Sequence, residues 1–488
     1  MVRPSKNIMK KFYPSCFLIL GCWFCCKAQF TLTVTNGYGS GTFNAGDTID
    51  IWCKEFPLTD VFDKWTGDVS FLEYADEWHT TVIMPSQNIA VTANFRTIGT
   101  FTINHESIMG RDTMKEVYSY FPPNFKGVIF CFHGTGGAAA NWTTLFDYVQ
   151  FLHHAVADTF AFIITEAEEI TRQNDFNFNG KLQWNYAPYD STNVDFANIQ
   201  ILIDTFRQRG ITNASTNYFS VGMSNGGAFS ATTATYFNWS AAVSYCAQAG
   251  NLLASLTNVP IQWCMAKYDN HPNVGPAGNA EALANHNTLV SRGICSRYFL
   301  FDHSPVYPQR FMRSPTISQT KSANLLTELQ SNNLLTANNY LLYATDTIGA
   351  RILASPLSYP QYLTLSGTDK VFMATQVDVM YSAHQFFCDY DKRTLEFFNH
   401  QCDVPTSIPE SGIRIPDLKL YPNPVSDILN VAVPVDLIGK EVSLFDISGR
   451  KIFSRKILND QFTLSVSEWQ WGIYFLQAGT SVIKIVLQ

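Results

Sequence analysis

The sequence predicts an α/β fold with a central parallel sheet and a small all-β module at each end. Between residues 98 and 402, apolar β-type runs alternate with helical patterns, as a parallel sheet with crossover helices requires. Towards both ends the chain instead shows short alternating strands separated by turn residues. With 488 residues the chain is long enough for a full core and for more than one domain.

Residues 1–29 have the composition of a secretory signal. Two lysines precede an apolar run that is too short to span a bilayer, and Ala28 offers a small residue for cleavage. An alternative is that the segment 19–22 (ILGC) is a lipobox, which would place a lipid on Cys22. We favour cleavage near Ala28 because the apolar run continues beyond Cys22. The mature protein is therefore expected to be secreted or attached to the cell surface, without a stable membrane span.

Residues 30–97 predict a small β module with alternating strands and glycine-containing turns. Its aromatic residues allow two interpretations. Trp52 or Trp78 could be exposed and bind a polymer or a surface, or the aromatic side chains could fill the core of a spacer module. We favour the core, since small β folds need aromatic side chains inside. The module resembles bacterial surface repeats of the InlB B-repeat kind at 46–48 (GDT), 65–68 (WTGD), 84–85 (MP) and 91–95 (VTANF).

The central region supplies the elements of a parallel sheet. A helix is expected over 195–208, where apolar residues recur at helical spacing. A long excursion of about 275–370, with amphipathic patterns at 279–291 and 317–330, is expected to form a cap that shapes the substrate groove. Strands are expected near 127–132, 160–165, 217–221, 241–246, 259–266 and 375–381.

The segment 222–227 (GMSNGG) carries the strongest chemical signal in the chain. A β-type run precedes it and small helix-forming residues follow it, so the pattern is strand, G-x-S-x-G, helix, which is the nucleophile elbow. A serine on such a turn projects its hydroxyl above the sheet, and the next amide points towards a developing oxyanion. We therefore identify Ser224 as the candidate nucleophile and the Asn225 amide as a candidate oxyanion donor. The alternative is a glycine-rich loop with a solvated serine.

A second motif stands upstream, where a buried strand runs into the segment 133–137 (HGTGG). This is the expected position of the second oxyanion donor. Either Gly134 or Thr135 can supply it through the backbone, and the Thr135 hydroxyl could add a hydrogen bond. His133 is expected to stabilise the turn rather than to act as a base.

A nucleophilic serine needs a base and an orienting acid, which follow it here in the order Ser, Asp, His. Asp269 follows the strand-like run 260–266 and is the candidate acid. The alternative is that Asp269 is an ordinary turn aspartate, in which case Asp302 is the next candidate for the acid. His384 is the candidate base because it stands after the last expected strand and before a helix.

Other histidines follow the candidate acid but fit the base less well. His286 lies within an expected helix and His400 at a helix end. His271 is too near Asp269 in the chain to face it from across the site.

The segments 132–137, 141–142, 194–196 and 222–227 together resemble the α/β-hydrolase family, and more narrowly its secreted poly(3-hydroxybutyrate) depolymerase and feruloyl esterase-like group. The resemblance covers about residues 98–402. It implies an ester hydrolase acting through an acyl-enzyme, on polysaccharide-linked esters or on polyester, without a metal or organic cofactor. The alternatives are a serine peptidase of the same fold, which the absence of preceding β-propeller repeats disfavours, and a non-catalytic surface adhesin.

After a linker at 403–416, residues 417–488 show alternating strands and turns and predict a small β-sandwich. The pattern runs from 418–424 (LKLYPNP) through 442–450 (VSLFDISGR) and 472–476 (GIYFL) to 482–486 (VIKIV). It resembles the type A C-terminal sorting domain of type IX secretion cargo in Bacteroidota. That resemblance implies export across both membranes, the type IX secretion machinery as partner, and removal or surface attachment of the tail.

Seven of the eleven cysteines lie outside the leader. Cys388 and Cys402 flank one expected helix and are the best disulfide candidates. Cys131, Cys246 and Cys264 lie in apolar runs and are expected to be buried thiols.

The formal charge is −7, and without the five basic residues of the leader the count is 28 basic against 40 acidic. An acidic mature chain without a basic run argues against a nucleic-acid partner. The sequence contains no paired C-x-x-C motifs and no H-E-x-x-H, so no structural or catalytic zinc site is expected.

Overall fold

The computed structural model describes residues 28–54, 59–402 and 419–487, the last with short gaps at 423–424, 434–436, 447–450, 460, 468, 470–471 and 479–480. The expected linker at 403–416 and all but the last two residues of the expected signal lie outside the described residues.

The N-terminal module consists of two small sheets, with strand orders β3-β1-β7-β5 and β2-β4-β6. Alternate residues of its strands point inward, as in β4, so that apolar side chains meet between the sheets. Trp65 is fully buried there. The strands are β1 (Gln29–Thr35), β2 (Gly37–Tyr38), β3 (Gly41–Asn44), β4 (Thr48–Cys53), β5 (Asp60–Gly67), β6 (His79–Ile83) and β7 (Ile89–Thr97).

The central domain is built on an eight-stranded sheet in the order β8-β9-β11-β10-β12-β13-β14-β15. Strands β10 to β15 run parallel to one another. The antiparallel pair β8 and β9 forms one edge, where β9 pairs antiparallel with β11. The strands are β8 (Asn104–Met109), β9 (Met114–Tyr120), β10 (Val128–Phe132), β11 (Ala161–Ile164), β12 (Tyr218–Met223), β13 (Ala241–Tyr245), β14 (Ile261–Ala266) and β15 (Ser296–Phe301).

Helices cover both faces of this sheet, and every residue of β10 to β14 is accordingly buried. One apolar cluster joins the sheet to α4, α5 and α7, and a second joins it to α2 and α12. The helices are α1 (Asn141–Thr144), α2 (Phe146–Ala157), α3 (Glu168–Arg172), α4 (Val194–Gln208), α5 (Asn225–Phe237), α6 (Asn251–Leu256), α7 (Gly275–Ser291), α8 (Gln319–Ser331), α9 (Thr345–Ala354), α10 (Pro360–Leu363), α11 (Gly367–Tyr381) and α12 (Asp391–His400).

The expected strand at 375–381 is wrong, because these residues form the end of helix α11. Met373, Val377 and Met380 are buried at helical spacing, and the side chain of Ser366 caps the helix by accepting a hydrogen bond from the amide of Asp369. The short run containing Val377 and Val379 has β propensity, but packing inside the insertion decides for a helix.

The insertion also begins later than we expected. The amphipathic segment near residue 279 is α7, which lies between β14 and β15 and packs on the sheet. The chain leaves the sheet only after β15, so the excursion covers 302–381. It has an apolar core of its own, which includes Phe311, Leu325 and Met380.

The insertion packs against the N-terminal module rather than standing alone. Trp52 stacks on Tyr307 with ring centroids 4.5 Å apart, and its indole nitrogen donates to Gln309 at 3.3 Å. Trp78 is buried, and the guanidinium of Arg313 lies 3.8 Å from the centre of its ring. The two tryptophans considered as surface-binding residues are therefore engaged within the protein.

The described part of the tail forms two facing sheets around one apolar core, in the orders β16-β17-β20 and β19-β18-β21-β22. This is the small β-sandwich that the alternating pattern predicts. Its strands are β16 (Lys419–Tyr421), β17 (Ile428–Ala432), β18 (Glu441–Asp446), β19 (Lys451–Lys456), β20 (Gln461–Ser465), β21 (Gly472–Ala478) and β22 (Ser481–Leu487).

The expected disulfide between Cys388 and Cys402 is wrong. Cys402 is bonded to Cys295, which immediately precedes β15, and Cys388 is a buried free thiol. Helix α12 separates Cys388 from Cys402, and its ten residues span about 15 Å at 1.5 Å per residue, beyond the reach of a disulfide. The expected thiols Cys131, Cys246 and Cys264 are buried and free.

Candidate active site

Ser224 lies on a strained turn between β12 and α5, with φ 56° and ψ −125°. The glycines around it permit this turn because no side chain would fit. A Cβ on Gly222 would lie 2.1 Å from the carbonyl oxygen of Gly226, and a Cβ on Gly226 would lie 2.3 Å from that of His133. The strand, the tight turn and the helix therefore form the nucleophile elbow that the sequence predicts.

Ser224, His384 and Asp269 form one line of hydrogen bonds. His384 Nε2 is 2.8 Å from Ser224 Oγ, and His384 Nδ1 is 2.6 Å from Asp269 Oδ2. The Asp269 carboxylate is fully buried, and its other oxygen accepts the backbone amide of His271 at 2.8 Å. With Nδ1–H donating to Asp269, Nε2 is left as the acceptor for the serine hydroxyl.

The loop that carries His384 is attached to the loop that carries Asp269. Ser382 ends helix α11 in the left-handed region, with φ 58°. Its hydroxyl accepts the amide of Lys267 at 2.8 Å and donates to the carbonyl oxygen of Phe301 at 2.7 Å. Its own carbonyl oxygen accepts the amide of Tyr268 at 3.0 Å. These contacts hold the end of the insertion over the ends of β14 and β15.

The amides of Gly134, Thr135 and Asn225 find no acceptor among the residues that the structure describes. Asn225 opens helix α5, whose N-terminal dipole favours negative charge. These free donors beside Ser224 are what an oxyanion hole needs. The Thr135 hydroxyl, considered as an additional donor, donates to Gln183 Oε1 at 3.2 Å.

His133 holds the glycine turn from inside. Its Nδ1 is 2.7 Å from the carbonyl oxygen of Gly134, and its Nε2 accepts the amide of Ala167 at 3.1 Å. Burial lowers the pKa of His133 to about 4, so the ring is neutral. Both of its nitrogens are engaged by backbone, which is the structural role that we expected.

The carboxylate of Asp302, the alternative acid, binds residues other than His384. Its carboxylate forms an ion pair with Lys267 at 2.6 Å and accepts the amide of His303 at 2.7 Å. It is half-exposed, whereas Asp269 is buried against the imidazole.

Cys246 lies beside the same pair, and its sulfur, an Asp269 oxygen and a His384 nitrogen lie within 4.8 Å of one another. Burial raises the pKa of the Cys246 thiol well above its ordinary value. Zinc binds the thiolate, and the carboxylate and imidazole are already bonded to each other. This cluster is therefore a poor fit to a zinc ion.

A cavity of about 580 Å³ opens beside Ser224. The expectation that the insertion shapes this groove is wrong, because none of its described residues lines the cavity. The walls come instead from the segment 173–193 and from loops after β13 and β14. The lining residues are Thr135, Asn179, Lys181, Gln183, Tyr186, Ser224, Asn225, Ala228, Thr232, Ala247, Gln248, Ala249, Gly250, His271, Asn273 and Val274.

The wall segment is held by a buried carboxylate that the sequence did not mark as structural. Asp195, in the first turn of α4, accepts the amides of Asn185 at 2.9 Å and Glu168 at 2.8 Å. The side chain of Asn225 also accepts the amide of Trp184 at 2.8 Å, which joins the wall to the elbow. Sequence reasoning missed Lys181 and Tyr186 because no motif marks this polar segment.

Family models match both ends of the chain. Residues 30–99 match the divergent InlB B-repeat domain, and residues 419–488 match the secretion system C-terminal sorting domain. No curated protein shows a significant match.

Among solved structures, a dienelactone hydrolase from Anabaena variabilis is similar at 15% identity and a TM-score of 0.32, over 47% of this chain and 97% of that one. A ferulic acid esterase is similar at 8% identity and a TM-score of 0.32, over 41% and 89%. Est1E from Butyrivibrio proteoclasticus is similar at 10% identity and a TM-score of 0.30, over 41% and 89%.

In the part of the chain that the structure describes, no helix combines the length and the apolar character needed to cross a membrane.

The strand–elbow–helix geometry and the eight-stranded sheet are those of an α/β-hydrolase fold with all-β modules at both ends. The C-terminal domain is a type IX secretion sorting domain, and for that reason the chain is a secreted or cell-surface protein.

Proposed function

We propose that the chain is a serine carboxylic ester hydrolase acting through a Ser224–His384–Asp269 triad. One observation carries the proposal: an unbroken hydrogen-bonded line from the buried Asp269 to the Ser224 hydroxyl, which lies in the wall of an open cavity. Free amides beside that hydroxyl supply the second element that acyl transfer needs.

The mechanism has two steps. His384 Nε2 takes the Ser224 proton while Oγ attacks the ester carbonyl, and the oxyanion lies between the amide of Asn225 and that of Thr135 or Gly134. His384 then gives the proton to the leaving alcohol. Water attacks the acyl-enzyme with His384 again as base, and the acid is released. Asp269 holds the imidazole in the required tautomer and stabilises the imidazolium.

The cavity walls favour short or polar acyl groups. Most lining residues carry amide, hydroxyl, imidazole or ammonium groups, and the apolar part of the lining is mainly small alanines. A long aliphatic acyl chain would cover Lys181 and the other polar groups of the wall without offering any of them a hydrogen bond. Among the substrates considered, polysaccharide-linked esters therefore fit better than aliphatic polyester.

The test is an assay of the purified mature chain on p-nitrophenyl acetate, butyrate and octanoate and on methyl ferulate, beside Ser224→Ala. We expect turnover that the Ser224→Ala variant loses, and rates that fall from acetate to octanoate. A folded protein without turnover on any of these esters would rule out the esterase and favour the peptidase or adhesin alternatives. Preference for octanoate would contradict the substrate class.

A further inference from the structure

The cavity beside Ser224 differs in charge from the rest of the chain. Among the described residues that line it, Lys181 carries the one formal charge, and none is a carboxylate. The whole chain has a net charge of −7. A cationic cavity in an acidic protein is a property of the site and does not follow from overall composition.

The Lys181 ammonium is available to a ligand. Its backbone is fixed because its amide donates to Asn179 Oδ1 at 2.9 Å, and the preceding Gly180 amide donates to Asp175 Oδ2. The side chain is half-buried, and within the described ranges Lys181 forms no ion pair. A half-buried cation without a partner favours a negative group in the same cavity.

His271 provides a second donor in the same wall. Its Nδ1 accepts the amide of Asn273 at 3.3 Å, so the proton of the neutral ring is on Nε2. Burial and the neighbouring His384 lower the pKa of His271, and Lys181 adds to this effect. The charge of Lys181 therefore acts on the imidazole of His271.

We propose that the natural ester carries a carboxylate, which the Lys181 ammonium binds together with the His271 Nε2–H. This inference rests on the proposed esterase function and specifies its substrate class. The carboxylate can stand on the acyl half or on the alcohol half of the ester, since both halves meet at Ser224.

The experiment compares matched neutral and anionic esters with the full mature chain. On the acyl side, mono-p-nitrophenyl succinate is paired with p-nitrophenyl butyrate, which has a methyl group in place of the carboxylate. On the alcohol side, 4-acetoxybenzoate is paired with phenyl acetate. Each kcat/KM is divided by the rate of uncatalysed hydroxide hydrolysis, to remove the difference in intrinsic reactivity.

We expect the wild-type chain to prefer the anionic member of at least one pair by about tenfold in kcat/KM, the size of a charge-assisted contact of about 1.4 kcal/mol. Lys181→Met removes the preference and Lys181→Arg retains it. Lys64→Met, at an exposed lysine of β5, is the matched control and keeps the preference. Added NaCl weakens the preference.

The inference is overturned if the wild-type chain shows the same normalised kcat/KM for the anionic and the neutral ester in both pairs. It is also overturned if a folded Lys181→Met variant keeps the preference for the anionic ester. In either case, turnover of the neutral esters that Ser224→Ala abolishes leaves the esterase proposal intact. If the wild-type chain turns over none of these esters, both proposals fail together.

Discussion

The imidazole of His271 stacks on that of His384, with ring centroids 4.4 Å apart and ring planes inclined by 17°. The same short loop carries Asp269, whose carboxylate is bonded to His384 Nδ1. One loop after β14 therefore contacts both an edge and a face of the candidate base. His271 follows the acid by two positions in the chain, and its ring packs against the base in the site.

The two candidate acids are expected to respond differently to the same substitution. Asp269→Asn should lower kcat by roughly 10⁴-fold, because an amide can donate to Nδ1 and stabilise the wrong tautomer. Asp302→Asn should change kcat less than about threefold, because it breaks only a half-exposed ion pair with Lys267. Steady-state kinetics on p-nitrophenyl acetate measures both. A larger loss in Asp302→Asn would identify Asp302 as the acid.

Glycine-to-alanine substitutions test the packing of the elbow. In Gly226→Ala the new methyl group meets the backbone of 132–133, which cannot rotate away, so we expect a loss of at least about 3 kcal/mol in the free energy of unfolding. Gly349→Ala is the control. Gly349 lies in α9 with open space around its Cα, so alanine should stabilise the fold by about 0.5–1 kcal/mol. Urea titration monitored by fluorescence gives both values, and a Gly226→Ala variant of wild-type stability would contradict the steric argument.

His133 predicts a pH dependence of stability. Its pKa is about 4 in the folded chain and near 6.5 when unfolded, so only the unfolded chain binds this proton between those values. The contribution of His133 to the free energy of unfolding is therefore fully present above pH 6.5. It decreases by about 3 kcal/mol as the pH falls from 6.5 towards 4. We expect His133→Asn to be less stable at pH 7 and to lose less stability on acidification. Parallel pH-dependent unfolding curves for the two proteins would contradict the prediction.

The Cys295–Cys402 bond closes a loop of more than one hundred residues. Cys402→Ser should lower the free energy of unfolding by about 2–5 kcal/mol, mainly because the unfolded chain regains conformational freedom. Cys388→Ser leaves that bond intact, so a reductant should destabilise this variant as much as it destabilises the wild-type chain. Non-reducing peptide mapping should recover the 295–402 pair, and a 388–402 pair would show the assignment to be wrong.

A buried ion pair joins the N-terminal module to the central domain. Arg393 on α12 contacts Glu77, and both side chains are nearly inaccessible to solvent. Burial raises the pKa of Glu77 to about 8 even beside Arg393. Arg393→Met should therefore cost about 3–5 kcal/mol above that pH, where it leaves a charged carboxylate buried without its partner, and less below it, where Glu77 takes a proton. Adding Glu77→Gln should recover part of that loss. A double-mutant cycle in thermal unfolding measures the coupling, and additive effects would show that the two residues act independently.

Local patterns in the sequence were enough to predict the elbow around Ser224, the glycine turn after β10 and most strands of the sheet. Their causes are local. Gly222 must be glycine because a Cβ there would meet the carbonyl oxygen of Gly226 in the same turn, and buried parallel strands appear as continuous apolar runs. The order of elements along the chain also indicated Asp269 after β14 and His384 as candidate acid and base, although the strand that we expected before His384 is helix α11.

The tertiary structure decided the rest, because those features depend on contacts between residues far apart in the chain. The helix at 367–381 replaced an expected strand when the insertion formed its own core. Cys402 meets Cys295 because α12 carries it back to β15. The cavity walls come from the segment around Lys181, which no motif marks, while the insertion packs on the N-terminal module. The sequence by itself determined the chemistry that the elbow can support, and only the packing of distant segments determined which side chains surround it.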